Sequence, residues 1–126
     1  YADGTQYDNL GTNGGVASTQ NAGFVHMNGK EVFKYAVGAM CEACDSVLSQ
    51  ANITAQDVNW LLPHQANIRI IAGVGQRMNI PDEKVIVTVD HHGNTSAASI
   101  PLAISESVAN GKIKSGCWLH LGWFTH

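Results

Sequence analysis

From Gly29 to Ala51, apolar residues recur at intervals of three and four, at Phe33, Ala36, Val37, Met40, Cys44, Val47, Leu48 and Ala51. That spacing predicts a helix over the whole segment, with one stripe turned to a core. Lys30, Glu31, Lys34, Glu42, Asp45 and Gln50 mostly fall off the stripe. Asn52-Ile53-Thr54 breaks the pattern. Thr54 followed by Asp57 resembles a capping arrangement, Asp replacing the usual Glu or Gln, and predicts a short turn. Val58 to Leu62 is an apolar run closed by Pro63, the pattern of a buried strand. A second helix is predicted over 66–78, with Ile68, Ile71, Ala72 and Val74 available for burial and Pro81 past its end. Lys84 to Val89 is β-branched and continuous, which predicts another buried strand. His91-His92-Gly93-Asn94 reads as a turn, Thr95 to Asn110 as a third helix with Gly111 as its C-terminal cap, and Cys117 to Leu121 as a third strand.

Helix and strand therefore alternate, which predicts an α/β layered sheet with crossover helices. Residues 1–28 are rich in Gly, Asn, Thr and Asp and show no sustained period, so they read as loop and turn. So long a loop seldom opens a free-standing domain. The expectation is a connection to something that precedes it, followed by a domain over 29–126.

Composition narrows the function. The chain has 126 residues, 44% hydrophobic and 13% charged, enough for one globular domain with a hydrophobic core. A net charge of −3 gives no electrostatic reason to expect nucleic acid or an anionic membrane as partner. No apolar run approaches the roughly 20 residues of a membrane span, and Tyr1-Ala2-Asp3-Gly4 lacks the layout of a secretory signal. A cytoplasmic location is the expectation. Cys41-Glu42-Ala43-Cys44 matches a C-x-x-C pattern, so zinc and redox readings have to be weighed. A second cysteine pair is missing, since Cys117 stands alone, and the pattern lies deep inside a helix rather than at its N-terminus. Buried core cysteines are the expectation, with no metal site.

Two polar segments directly follow strands: Pro63-His64-Gln65-Ala66-Asn67 and His92-Gly93-Asn94. In α/β sheets, loops at the carboxyl ends of strands commonly carry the chemistry. A neutral imidazole N–H and an amide NH₂ can both donate to an oxygen that becomes negative. Decarboxylation of a malonyl thioester produces such an oxygen, on an enolate. The same residues also suit ordinary loops, because Asn tolerates left-handed turns and exposed His is common.

The strings Pro63-His64-Gln65-Ala66-Asn67-Ile68-Arg69-Ile70-Ile71 and His92-Gly93-Asn94-Thr95-Ser96-Ala97-Ala98-Ser99-Ile100-Pro101-Leu102-Ala103 closely resemble two signatures of β-ketoacyl-acyl-carrier-protein synthase III. The resemblance runs from about Asp3 through Gly116, including Asn21-Ala22-Gly23 and Asn28-Gly29-Lys30-Glu31-Val32-Phe33-Lys34. It implies a thiolase-like half-fold, in which residues 1–28 connect from an N-terminal half and the domain over 29–126 is incomplete at its end. It also implies an acyltransferase that starts fatty-acid synthesis by decarboxylative condensation of acyl-CoA with malonyl-acyl-carrier protein. By resemblance, His64 and Asn94 stabilise the decarboxylation intermediate. Asn67, Gly29 and Phe33 fall near the pantetheine arm, and Arg69 at the carrier-protein surface. For Phe33 core packing is an equal reading, and for Arg69 a solvated helix charge is the alternative. Coenzyme A thioesters enter as substrates, no cofactor is implied, and the complete enzyme is expected to be a homodimer.

The resemblance has two gaps. The family's nucleophilic cysteine belongs to the preceding half of the fold, and none of Cys41, Cys44 and Cys117 matches its motif. The isolated chain is therefore expected to lack condensing activity. After Lys112-Ile113-Lys114-Ser115-Gly116 the family continues into an apolar strand and a triple-glycine loop. Here Cys117-Trp118-Leu119-His120-Leu121-Gly122-Trp123-Phe124-Thr125-His126 stands instead. Two alternatives keep the same residues: a related synthase of polyketide or alkylquinolone pathways, and a non-catalytic pantetheine-binding half-domain.

Overall fold

Strand β3, Trp60–Pro63, pairs in parallel with β4, Leu119–Gly122, in the register Trp60↔Leu119 to Pro63↔Gly122. Leu61 and Leu62 point to opposite faces of β3, and both are fully buried, so the strand is covered on both sides. The computed structural model describes residues 5, 7–17 and 19–122. The departure at the C-terminus is therefore described only as far as Gly122. Between β3 and β4 run helices α2 (Ile68–Arg77), α3 (Val89–His92) and α4 (Ser99–Ala109), the crossover arrangement that the alternation predicts. Among the described residues no helix is long and apolar enough to cross a membrane.

Two compact units divide between Ala36 and Val37, inside helix α1, Gly29–Ala51. In the first unit, the stretch expected to be loop holds two short strands, β1 (Leu10–Thr12) and β2 (Val25–Met27), paired antiparallel with Gly11 opposite His26. Each strand has only three residues, and the alternating Val25 and Met27 of β2 are exposed, so the pairing carries no sustained periodic signal. Gly23 lies where a Cβ would sit 2.3 Å from the Gly14 carbonyl oxygen, so two backbones approach at a distance only glycine allows.

Helix α1 spans the predicted residues, but its buried face differs in membership. Val32, Ala36, Val37, Met40, Cys41, Cys44 and Leu48 are buried, whereas Phe33 is half-buried and Val47 and Ala51 are exposed. Helical phase puts Val47 and Ala51 on the correct side. Whether another segment covers that turn decides their burial, and periodicity does not report it. Cys41 and Cys44 are free and buried, as expected. Burial pushes the Cys44 thiol up to about 12, the reverse of what a nucleophile needs.

In the second unit Leu62, Ile86, Ile100 and Ala103 form one core, with Trp60, Ile104 and Ile113 packed against it. Each large aliphatic side chain buried there contributes about 1.5–3 kcal/mol. Helix α2 is shorter than predicted. It buries Ile70, Ile71, Val74 and Gly75, and Ile68 is exposed. Asn67 starts it, its Oδ1 accepting the Arg69 and Ile70 backbone N–H groups at 2.8 and 3.3 Å. Helix α4 begins after a 3-10 turn at Ser96–Ala98, and Gly111, at φ +78, closes it as predicted. The predicted turn at Thr54 also forms, its backbone N–H and Oγ1 both donating to Asp57.

The strand expected over Lys84–Val89 is a correction. Val85 makes a single parallel bridge to Leu61, and the Ile86 N–H donates to the Leu61 carbonyl at 2.9 Å. Beyond that point the ladder stops, because a side chain takes the place of a neighbouring strand. Gln65 Nε2 donates to the Ile86 carbonyl at 3.2 Å, and its Oε1 accepts the Thr88 and Val89 N–H groups at 2.7 and 3.1 Å. Val89 then opens α3, so the β-branched run ends as helix.

Candidate active site

His64 is the residue that leaves β3. Its backbone N–H extends the β3–β4 pairing by donating to the Gly122 carbonyl at 2.6 Å. The chain then turns sharply, with the Ala66 N–H donating back to the His64 carbonyl at 2.8 Å. His64 is buried, 8% exposed as a whole residue. Its Nδ1 lies 2.6 Å from Ser99 Oγ, which also accepts the Gln65 backbone N–H at 3.2 Å. Burial lowers the His64 pKa below the ordinary imidazole value, which favours the neutral ring at pH 7.

Ser99 is the first residue of α4, and it ties the end of β3 to the segment that carries Asn94. Asn94 follows Gly93 and is exposed. Its Oδ1 accepts the Ser96 N–H at 3.0 Å, which fixes the amide plane relative to the turn. Gly93 closes α3 at φ +69 and ψ −169, a conformation essentially restricted to glycine. A Cβ there would meet nothing within 4 Å, so the constraint is backbone conformation and not space. Gly93→Ala is expected to destabilise by about 1–3 kcal/mol through that strain. Chemical denaturation of the full-length protein measures it, and a change below 0.5 kcal/mol, in magnitude about that of a neutral surface substitution, counts against the constraint.

The remaining sequence-predicted residues divide between the units. Asn67 and Arg69 sit together in the first turn of α2, both exposed, three and five positions beyond His64. Gly29 and Phe33 belong to the first unit: Gly29 is the first residue of α1, and Phe33 lies one turn later, half-buried. Sequence reading assigned no role to Ser99 or Gln65. Both lie inside the quoted strings, and a polar residue flanked by a strand end was the available signal. Neither partner of the His64–Ser99 bond can be inferred from spacing, because 35 residues separate them.

Residues 48–121 match the family model described as 3-oxoacyl-(acyl-carrier-protein (ACP)) synthase III C terminal. The β-ketoacyl-(acyl-carrier-protein) synthase III of Allorhizobium ampelinum is 52% identical over 115 residues, covering 91% of this chain and 36% of that protein. The crystal structure of 3-oxoacyl-(acyl-carrier-protein) synthase III from Aquifex aeolicus VF5 superposes with a TM-score of 0.87 at 41% identity, over 98% of this chain and 38% of that one. The corresponding enzyme of Pseudomonas aeruginosa PAO1 gives a TM-score of 0.88 at 37% identity, over 99% of this chain and 38% of that one. The chain thus spans little more than a third of the length of the relatives it matches.

Proposed function

The chain belongs to the 3-oxoacyl-(acyl-carrier-protein) synthase III C-terminal family, and from that premise we propose that it is the decarboxylating part of a condensing enzyme. The observation that carries this reading is His64, enclosed at the end of β3 and held through Nδ1 by Ser99. Ser99 Oγ accepts the Gln65 N–H, and in this reading its hydroxyl proton goes to His64 Nδ1. On the same reading the imidazole carries its own proton on Nε2, the nitrogen assigned to the substrate oxygen.

The reaction proceeds in the following way. A cysteine of the preceding half takes the acyl group from an acyl-CoA as a thioester, and the coenzyme A thiolate leaves. The malonyl thioester on acyl carrier protein then loses CO₂, and the electron pair of the broken C–C bond moves into an enolate. His64 Nε2–H and the Asn94 amide donate to the enolate oxygen. The enolate carbon attacks the acyl carbonyl, a C–C bond forms, and the cysteine thiolate leaves. Burial keeps His64 neutral, so it donates a hydrogen bond without fixing a proton on the enolate.

The other residues serve delivery. By the family resemblance Asn67 is assigned to the pantetheine arm and Gly29 and Phe33 to the acyl-pantetheine passage, each within its own unit, and Arg69 offers a cation to an acidic carrier protein. Residues 1–28 connect to the half that supplies the cysteine. The complete enzyme is a cytoplasmic homodimer and needs no cofactor of its own. The full-length protein carrying this segment is expected to convert acyl-CoA and malonyl-carrier protein into 3-ketoacyl product and CO₂ in equal amounts. Absence of product with every acyl-CoA primer, under conditions where the protein is folded, would remove the reading.

A further inference from the structure

Two imidazoles next to Asn94 have no part in that reaction. His91 Nε2 and His92 Nε2 lie 2.9 and 2.8 Å from the same atom, Glu106 Oε2, and their ring centroids are 4.5 Å apart. Consecutive residues on a helical turn project about 100° apart, so adjacent histidines do not ordinarily meet on one oxygen. Here α3 is a single turn that ends at Gly93, and Glu106 comes up from α4 to meet both rings. The three groups offer ligand atoms within 4.8 Å of one another. Their side chains remain 34–47% exposed, so a hydrated ion can reach them. A second carboxylate stands behind the first ring: Asp90 Oδ1 is 2.8 Å from His91 Nδ1.

We propose that His91, His92 and Glu106 bind a divalent transition metal ion of the zinc type, with Asp90 holding the His91 ring from outside. Two imidazole nitrogens and one carboxylate oxygen suit zinc and its neighbours, whereas magnesium and calcium favour oxygen-only sets. Three protein ligands leave a fourth tetrahedral position for water. In the metal-bound state the Asp90 carboxylate, the usual kind of outer partner of a metal-bound histidine, keeps the proton of His91 on Nδ1 and leaves Nε2 as the lone pair that meets the ion. On binding, the ion replaces the protons that now bridge both rings to Glu106. With metal–ligand bonds of about 2.0–2.2 Å, each nitrogen–oxygen separation must open by only roughly half an ångström. The bound ion clamps α3 to α4 and so stiffens the Gly93–Ser99 connection between them. The site does not depend on the condensing reaction.

The experiment uses the full-length protein carrying this segment, titrated with Zn²⁺ in competition with a chromophoric chelator. One equivalent is expected to bind at these residues. His91→Gln and His92→Gln should each weaken it at least about tenfold, as should Glu106→Gln, and Asp90→Asn should weaken it roughly 10–100-fold. Nitrogen-15 spectra of the unsubstituted protein supply a measurement that needs no variant: Zn²⁺ should shift Nε2 of both histidines. Co²⁺ added as a probe should give d–d bands without thiolate charge transfer. Zn²⁺ binding that survives the His91→Gln/His92→Gln double substitution, Co²⁺ spectra showing cysteine ligation, or unshifted Nε2 signals at saturating Zn²⁺ would each overturn the proposal.

Discussion

Gln65→Leu is expected to destabilise the full-length protein by about 3–5 kcal/mol, although leucine nearly matches glutamine in volume. Gln65 is fully buried. Its Nε2 donates to the Pro63 and Ile86 carbonyls at 2.8 and 3.2 Å, and its Oε1 accepts from the Thr88 and Val89 N–H groups at 2.7 and 3.1 Å. Leucine would strand those two N–H groups away from water, at about 1–3 kcal/mol each, and would deprive two carbonyls of a donor. Gln65→Glu separates this account from simple packing. A carboxylate keeps the acceptor but faces two carbonyl oxygens, so it should destabilise most where it is ionised and recover as the pH falls. Urea unfolding of the two variants measures both effects. A loss below 1 kcal/mol for leucine would mean that the segment after Val85 is held by something other than this amide.

His64→Ala and Asn94→Ala are each expected to slow decarboxylation of malonyl-carrier protein by about 10²–10³-fold in the full-length enzyme. Acyl transfer to the nucleophilic cysteine should suffer less, because charge develops at a different carbonyl. The double variant should lose less than the sum of the single free-energy losses, since both groups serve one oxygen. Following acyl-enzyme formation and CO₂ release separately tests this. Equal losses in both steps, matched by a loss of stability, would mean that the residues only support the fold. The His64 pKa gives a second handle. Its folded value lies below the ordinary value of about 6.5, so between the two the unfolded chain binds more protons. The stability tied to neutral His64 is therefore complete above about pH 6.5 and is lost as the pH falls through the folded value. His64→Gln should flatten that part of the stability–pH curve.

Much of this molecule is legible in its residues one segment at a time. The helix over Gly29–Ala51, the buried strand ending at Pro63, the cap at Gly111 and the burial of Cys41 and Cys44 follow from periodicity, a helix-ending glycine and the apolar character of free thiols. These are local properties, written within a few residues. Of the two polar segments expected to follow strands, the one with His64 leaves β3 as expected, whereas Asn94 follows the helical turn α3. Tertiary structure decided whatever depends on a distant partner. Val47 and Val32 have similar side chains, yet only Val32 is covered. Lys84–Val89 has the composition of a strand, but it becomes a bridge and then a helical turn, because Gln65 supplies the hydrogen bonds that an adjacent strand would have supplied. Ser99 takes its role from His64, and Glu106 from two histidines that read by themselves as a turn. Hydrophobic phase records which way a side chain faces. Only the folded chain brings up the buried polar group that must be satisfied on the other side.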